Sequence, residues 1–258
     1  MTSASLAVCV GAIALIATAS VSRRSAYAAA IVMPPAAPCD ANPNQSAPHF
    51  SANSLREGRF VYRETVAHKD TSTFTIEIRR HADDTWRFTG EGSGQRWEAI
   101  TDSVFRPRSA MLSMTRHGRP YEFHLQYTRD SVFALVSSVD SAANEHKDSS
   151  AATIRGATID QRIDWASLMA SDLGAGSSAA FSVYDPATGS SQLAASASDG
   201  PRLASPDGPR ATVKLDYTIC KAGMSESYTV FATKGSRRMM VREDLRGDIV
   251  AELVRVEP

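Results

Sequence analysis

The chain has 258 residues, of which 43% are hydrophobic and 22% are charged, so it has enough apolar material for one sizeable core. Its 28 basic and 28 acidic residues cancel to a formal net charge of zero. Without a cationic surface there is little counterion release to drive binding to a phosphate backbone, which argues against a nucleic-acid-binding protein.

Residues 1–28 have the composition of a signal peptide. A continuous apolar run at residues 6–21 is followed by small residues that suit a signal peptidase, which predicts cleavage after Ala28. The alternative is an uncleaved anchor, because Arg23 and Arg24 follow the apolar run instead of preceding it. That run is shorter than the ~20 residues that a transmembrane helix needs. We therefore expect a periplasmic or secreted protein without a stable transmembrane segment in the mature chain.

Residues 29–54 are rich in Pro, Ala, Asn and Ser and predict a disordered tether, because such a segment buries too little apolar surface to offset its ordering entropy. After cleavage the chain keeps two cysteines, Cys39 and Cys220, and an oxidising compartment makes them a candidate disulfide. Because Cys39 lies in the tether, two free or separately buried thiols are the alternative. Residues 55–258 are predicted to form a single β domain.

Alternation of apolar and polar residues begins at Arg59 and recurs through most of the remaining chain. This period of two is typical of strands with one buried face and one solvated face. The apolar runs are separated by short polar turns, and such turns join antiparallel neighbours, so the pattern predicts a meander of about 11–12 strands. The polar stretch at residues 140–156 breaks the pattern and is predicted to be a mobile loop.

Residues 158–173 contain the one main α-helix that the sequence predicts. Their apolar residues recur near helical spacing, and Thr158 and Gln161 have the spacing of a capping box. Gly174 suits the C-terminal cap. The fold class is therefore mainly β with one helix.

A meander of this length must curl, because strand twist accumulates across the sheet, so the prediction is a half-barrel or open barrel. Its apolar face is then concave, and one helix is too small to fill it. Large apolar side chains on this face and on the helix are candidates to line a ligand groove, although ordinary core packing is the alternative. The groove candidates are Tyr62, Trp86, Phe88, Trp97, Phe123, Trp165 and Met169.

The C-terminal strand carries the motif Gly-Asp-Ile-x-Ala-Glu-Leu at residues 247–253, after "IDWASLMASDL" and "FSVYDPATGSSQL" in chain order. In these features the chain resembles a bacterial periplasmic family of unknown function. That family is similar in fold to the lipoprotein carriers of the Gram-negative periplasm, which are half-barrels that wrap an apolar face around helices. The resemblance implies the architecture, and it transfers no functional residue because the family's ligand is unknown.

Residues 240–253 place four carboxylates around a glycine and include an Arg-Gly-Asp tripeptide at 246–248. The alternation on both sides of Gly247 predicts two strands joined by a turn, so a catalytic pair and an adhesion site are both disfavoured. We expect the four carboxylates to be solvated; they are Glu243, Asp244, Asp248 and Glu252.

Motifs for covalent or metal chemistry are not found in the sequence. None of the six histidines has a metal-ligand spacing with another His, Cys or carboxylate, and the glycines at 90–94 fit neither a phosphate loop nor a nucleophile elbow. We therefore expect no catalytic residue, no metal site, no cofactor and no enzymatic activity.

Two functions follow from these expectations, and a third, an enzyme that uses a few polar residues inside the half-barrel, is supported by no motif. The first is an exported carrier that holds a lipid or acyl chain in the concave face, since burying about ten methylenes at ~0.8 kcal/mol each gives ~8 kcal/mol before association costs. The second is a structural or accessory envelope protein with a filled core and a protein partner on an edge strand. A groove that is plugged by Trp165, Leu168 and Met169 would argue against the carrier.

Overall fold

A computed structural model of the chain describes residues 48–92, 94–154, 156–221, 224–245 and 248–257. These residues form one curled sheet of 15 strands, a single short α-helix and two 3-10 turns. Among them, no helix has the length and apolar composition that crossing a bilayer requires. The predicted signal peptide, Cys39 and the Arg246-Gly247 part of the C-terminal turn lie outside the described residues.

The sheet is ordered β8-β7-β6-β5-β4-β3-β2-β1-β15-β14-β13-β12-β11-β10-β9. All neighbours are antiparallel except β9 and β10, which are parallel. The bounds of the strands, in chain order, are β1 Gly58–Val66, β2 Lys69–Arg80, β3 Trp86–Gly92, β4 Gln95–Thr101, β5 Pro107–Arg116, β6 Arg119–Tyr127, β7 Ser131–Val139, β8 Glu145–Thr153, β9 Thr158–Asp160, β10 Ser178–Asp185, β11 Gly189–Leu203, β12 Arg210–Lys221, β13 Met224–Thr233, β14 Met240–Leu245 and β15 Ile249–Glu257.

The predicted fold class is confirmed: the sheet is a curled antiparallel meander whose ends, β8 and β9, do not pair, so it is not closed. The alternating side chains determine which face of the sheet is concave and buried. Phe60 and Tyr62 of β1 lie opposite Ile76 and Phe74 of β2, and all four face the core. Most strands thus contribute one apolar row to the concave side, and their polar rows face solvent.

Strand β8, Glu145–Thr153, occupies most of the segment that was expected to be a loop. It pairs with β7 over all nine residues without a bulge. Every residue of β8 except Ala152 is exposed, so both faces are solvated and the sequence shows no alternation. Backbone hydrogen bonds to β7, and not burial, define this strand, which explains why the hydrophobic pattern missed it. With β8 and the three-residue β9, the strand count exceeds the predicted 11–12.

The helix α1, Asp164–Met169, is shorter than the predicted span of 158–173. Residues 158–160 instead pair with β10, and Asp160 has extended backbone angles while its carboxylate caps the 3-10 turn Gln161–Ile163. The helix therefore begins only at Asp164. Residues 158–170, here called the plug, are all buried inside the concave face of the sheet.

The packed part of the chain begins before the predicted tether boundary at residue 54. Phe50 and Ala52 are buried, and the ring of Phe50 packs edge to face against Phe181 at a centroid distance of 5.1 Å. A 3-10 turn at Ala52–Ser54 leads from there into the sheet. The two apolar residues are isolated among polar ones, so composition alone did not reveal their burial.

Candidate functional site

The seven groove candidates line no open groove in the described residues. Each of them is at most 3% exposed, and all belong to one core cluster. Trp97 packs so closely over Gly90 that a Cβ atom there would lie 2.1 Å from the indole nitrogen. The tight packing places the seven side chains in the core of the half-barrel: Tyr62, Trp86, Phe88, Trp97, Phe123, Trp165 and Met169.

The side chain of Arg238 hydrogen-bonds the backbone at the C-terminal end of the plug. The guanidinium of Arg238 donates from Nη1 to the carbonyl oxygens of Met169, at 3.2 Å, and Ser171, at 3.4 Å. These two carbonyl groups lie in and just after the last turn of α1, where backbone carbonyls have no N–H partner within the helix. Within the plug, the indole of Trp165 donates to the carbonyl of Arg162 at 3.0 Å.

A buried ionic network lies at the start of the plug. The guanidinium of Arg162 pairs with the carboxylate of Asp160 and, at 3.5 Å, with that of Asp185, and it stacks 4.7 Å from the ring centroid of Phe123. The hydroxyl of Tyr127 donates to Asp160 at 2.6 Å. Burial is the largest single effect and would lower the pKa of Arg162, but Asp160, Tyr127 and Asp185 together outweigh it and raise that pKa.

A second buried group of acids lies on the other side of α1. Asp164 and Glu243 are at most 1% exposed, and the hydroxyl of Tyr217 donates to Glu243 at 3.3 Å. Burial, with a smaller contribution from the nearby Glu243, raises the pKa of Asp164 well above its usual range. Glu64 is buried as well and lies two strands from Glu243, with Ala251 of β15 between them.

The prediction that all four C-terminal carboxylates are solvated is wrong for Glu243. Val241, Glu243 and Leu245 share one parity of β14, and that parity faces the core. Asp244, Asp248 and Glu252 are at least partly exposed, as expected. The same signal was available for Glu64, which follows Phe60 and Tyr62 at every second position of β1.

These ionisable groups lie in the core, where solvent and solutes do not reach them. A substrate would meet them only after the plug had moved. The described residues hold no cluster of three or more His, Cys, Asp or Glu side chains arranged to bind a metal ion.

A shallow depression of about 630 Å³ lies on the outer face of strands β4–β8. One row of its lining crosses the five strands in register and consists of Glu98, Met111, His124, Leu135 and Ser149. The floor is apolar where β7 crosses it, since Phe133 is 51% exposed and Leu135 is 48% exposed. The sequence signal for this patch is the evenly apolar run of β7, "SVFALVSSV", which places large side chains on both faces.

The edge of the sheet lies beside this depression. Strand β8 ends the sheet, and its outward side chains next to Leu135 and Phe133 are the small residues Ser149 and Ala151. No described strand pairs with the far side of β8. The depression is therefore open on the side where an additional strand would lie.

Cys220 lies near the end of β12, and its sulfur is in a disulfide. The predicted partner, Cys39, lies outside the described residues. The pairing of the two therefore stays a prediction, and its test is the mass of the linked peptides after proteolysis without reduction.

Comparison with solved structures finds two distant similarities. A protein with a YmcC-like fold from Bacteroides fragilis aligns with 83% of this chain and 100% of its own at 9% identity and a TM-score of 0.32. MucB, solved in complex with MucA(peri), aligns with 78% of this chain and 90% of its own at 13% identity and a TM-score of 0.20. Scores this low give no argument about function.

Comparison with curated proteins finds no significant match. The model of one protein family matches residues 55–257, which include every strand of the sheet. The expectation that the chain belongs to a family of unknown function is confirmed. The chain belongs to the family described as protein of unknown function DUF3108.

Proposed function

We propose that the protein is a non-enzymatic accessory protein of the bacterial envelope that binds an extended segment of a partner protein along strand β8. The proposal rests chiefly on one observation: the concave face is filled, whereas the edge of the sheet and the apolar depression beside it are open. An export signal at residues 1–28 is part of the proposal, because it would bring the protein to such partners.

The filled interior favours this function over that of a carrier. Trp165, Leu168 and Met169 of the plug are fully buried at the positions where a lipid chain would have to lie. Ligand sites for small molecules are normally pre-formed cavities of roughly 300–1,000 Å³. A lipid would therefore have to displace the plug and break its contacts before binding.

The edge of β8 has the features of a strand that accepts another strand. Its nine residues include no proline, its register with β7 has no bulge, and Lys147 is its one basic residue with a long side chain. Edge strands usually avoid unwanted pairing through charged side chains, prolines or bulges, and the charged residues of β8 are confined to its first four positions, 145–148. Residues 149–153 lack these devices, so their free backbone groups can hydrogen-bond an added strand.

The depression favours apolar side chains in the added strand. Adjacent strands lie about 4.8 Å apart, so an added strand is two strand spacings from Leu135 and Phe133. Because Ser149 and Ala151 are small, a long apolar side chain of the partner can pass over them to these two residues. Alternate large apolar residues in the partner segment are the expected specificity.

The test uses a photo-reactive amino acid at Ser149 in the full-length exported protein, expressed in its own host. We expect cross-links to a protein, and we expect the double substitution Phe133→Ser with Leu135→Ser to reduce the cross-linked yield at least tenfold. The matched control is Val254→Ser, because Val254 is also apolar and 41% exposed but lies on β15, inside the sheet. The control should leave the cross-linked yield unchanged.

Two further measurements make the result decisive. All three side chains are about half exposed, and each substitution should cost about 1–2 kcal/mol of unfolding free energy. Urea unfolding of the double variant and of the control therefore shows whether a loss of cross-linking reflects unfolding. Lipids are extracted from the same natively purified protein and identified by mass spectrometry. Stoichiometric lipid, together with a cross-linked yield that the substitutions at Phe133 and Leu135 do not change, would refute the proposal and favour a carrier.

A further inference from the structure

Three neighbouring segments at one end of the half-barrel form a continuous surface, here called the rim. The segments are residues 54–57 before β1, residues 199–211 of the β11–β12 hairpin and the turn 234–238 between β13 and β14. The backbone N–H of Arg56 donates to the carbonyl of Arg238 at 2.8 Å, and that of Lys234 donates to the carbonyl of Ala211 at 3.0 Å. The side chain of Arg56 also reaches Asp207, at the tip of the hairpin, at 3.4 Å.

The rim carries an excess of positive charge, although the chain as a whole is neutral. Two of its three acids, Asp199 and Asp207, already pair with cations of the rim. Arg202 and Arg237 are exposed, and no carboxylate among the described residues pairs with either of them. The six cations of the rim are Arg56, Arg202, Arg210, Lys234, Arg237 and Arg238, and its third acid is Glu57.

The N-terminal part of the chain enters the domain beside the rim. His49, next to the first described residue, accepts the backbone N–H of Asp172 at its carbonyl at 3.1 Å, and Arg238 donates to the adjacent carbonyl of Ser171. Asp172 lowers the local excess by one charge, which leaves this end of the sheet positive. The apolar run at residues 6–21 leads into the domain here, so if it is retained as an anchor the rim faces the bilayer.

The hairpin of the rim extends beyond its neighbours in the sheet. β10 pairs with β11 only as far as Ser196, whereas β11 and β12 stay paired as far as Leu203. Pro201 and Pro209 are exposed on this extension, and a proline has no backbone N–H to donate to an added strand. The hairpin is therefore suited to lie on a charged surface and is a poor acceptor for a strand of another protein.

We propose that the rim binds the anionic headgroups of a lipid bilayer and so holds the half-barrel at the membrane surface. Cations on a protein surface are attracted to anionic lipids over about a Debye length, and this attraction is screened by salt. Arg202 and Arg237 should contribute most, because they have no ion pair to give up. The rim shares no residue with β8 or its depression, so the membrane contact and the partner proposed for β8 can fail separately.

The test is co-sedimentation of the full-length exported protein with vesicles. One set contains phosphatidylglycerol and phosphatidylcholine in equal parts, and the other contains phosphatidylcholine alone. We expect binding to the anionic vesicles that weakens as the salt concentration rises. Since each cation near an anionic surface contributes about fivefold to the partition coefficient, Arg202→Gln with Arg237→Gln should lower it roughly 25-fold. Arg202→Lys with Arg237→Lys keeps both charges and should retain wild-type binding.

The matched control is Arg96→Gln with Arg119→Gln. Arg96 and Arg119 lie at the starts of β4 and β6, at the opposite end of the sheet, and among the described residues they have no carboxylate partner either. The control should leave the partition coefficient unchanged, and urea unfolding of every variant verifies that it is folded. Equal losses in the rim variant and the control would overturn the proposal. So would a wild-type protein that does not prefer anionic vesicles, in which case an acidic protein becomes the better counterpart for the rim.

Discussion

Replacing Arg162 with methionine tests whether the buried ionic network holds the plug. The substitution keeps a long side chain over Phe123 but removes the cation that pairs with Asp160 and Asp185. Both carboxylates then remain in the core without a positive charge. Only protonation would relieve them, and at pH 7 protonation of a carboxyl group itself costs free energy.

The expected loss is large because the pair is fully buried. Removing one partner of a buried ion pair typically costs about 3–5 kcal/mol. With a dependence on urea of about 3 kcal/mol/M, the midpoint of unfolding should fall by roughly 1–1.7 M. The loss should shrink at pH 5, where the two abandoned carboxyl groups take up protons more easily.

The assay is urea unfolding followed by tryptophan fluorescence, since Trp165 lies within the plug. The matched control is Arg63→Met, which breaks a pair of 3.3 Å between Arg63 and Glu252 on the outer face, where both side chains are more than 40% exposed. Exposed pairs of this kind contribute about 0–1 kcal/mol. If Arg162→Met and Arg63→Met lower the midpoint equally, the network does not stabilise the plug and the reasoning fails.

Two further substitutions test the packing of the interior, both by urea unfolding. Trp165→Ala should destabilise the protein by about 3–5 kcal/mol, because the indole is fully buried and donates to the carbonyl of Arg162; a loss under 1 kcal/mol would mean that the interior is not filled. Gly90→Ala should cost about 1–3 kcal/mol, because its Cβ would overlap the indole of Trp97, whereas Gly118→Ala in an exposed turn meets no atom within 4 Å. Gly118 has positive φ, so the control reports backbone strain alone, and a Gly90→Ala loss no greater than this control would contradict the close contact.

The strands were predictable wherever one face is buried, and the reason is physical. Phe60, Tyr62, Phe74 and Ile76 alternate with polar residues because the sheet buries one side, so the sequence records which side it is. β8 has no buried side, so its sequence shows no alternation of apolar and polar residues. Its existence depends on backbone pairing with β7, which no side-chain pattern reports.

The buried acids were harder to predict than the strands, because only apolar residues were assigned to the inner face from their alternation. Glu64 and Glu243 occupy inward positions between buried neighbours, and treating their alternation like that of the apolar residues would have placed both in the core. Asp160 and Asp164 could not be placed in this way. Their burial depends on the sheet curling around the plug, a long-range event that spacing within a segment does not encode.

A core that served only stability would not need these acids. Replacing a buried ion pair with apolar residues of similar volume is often neutral or stabilising by about 1–4 kcal/mol. The plug therefore rests in a less stable environment than apolar side chains of similar volume would give it.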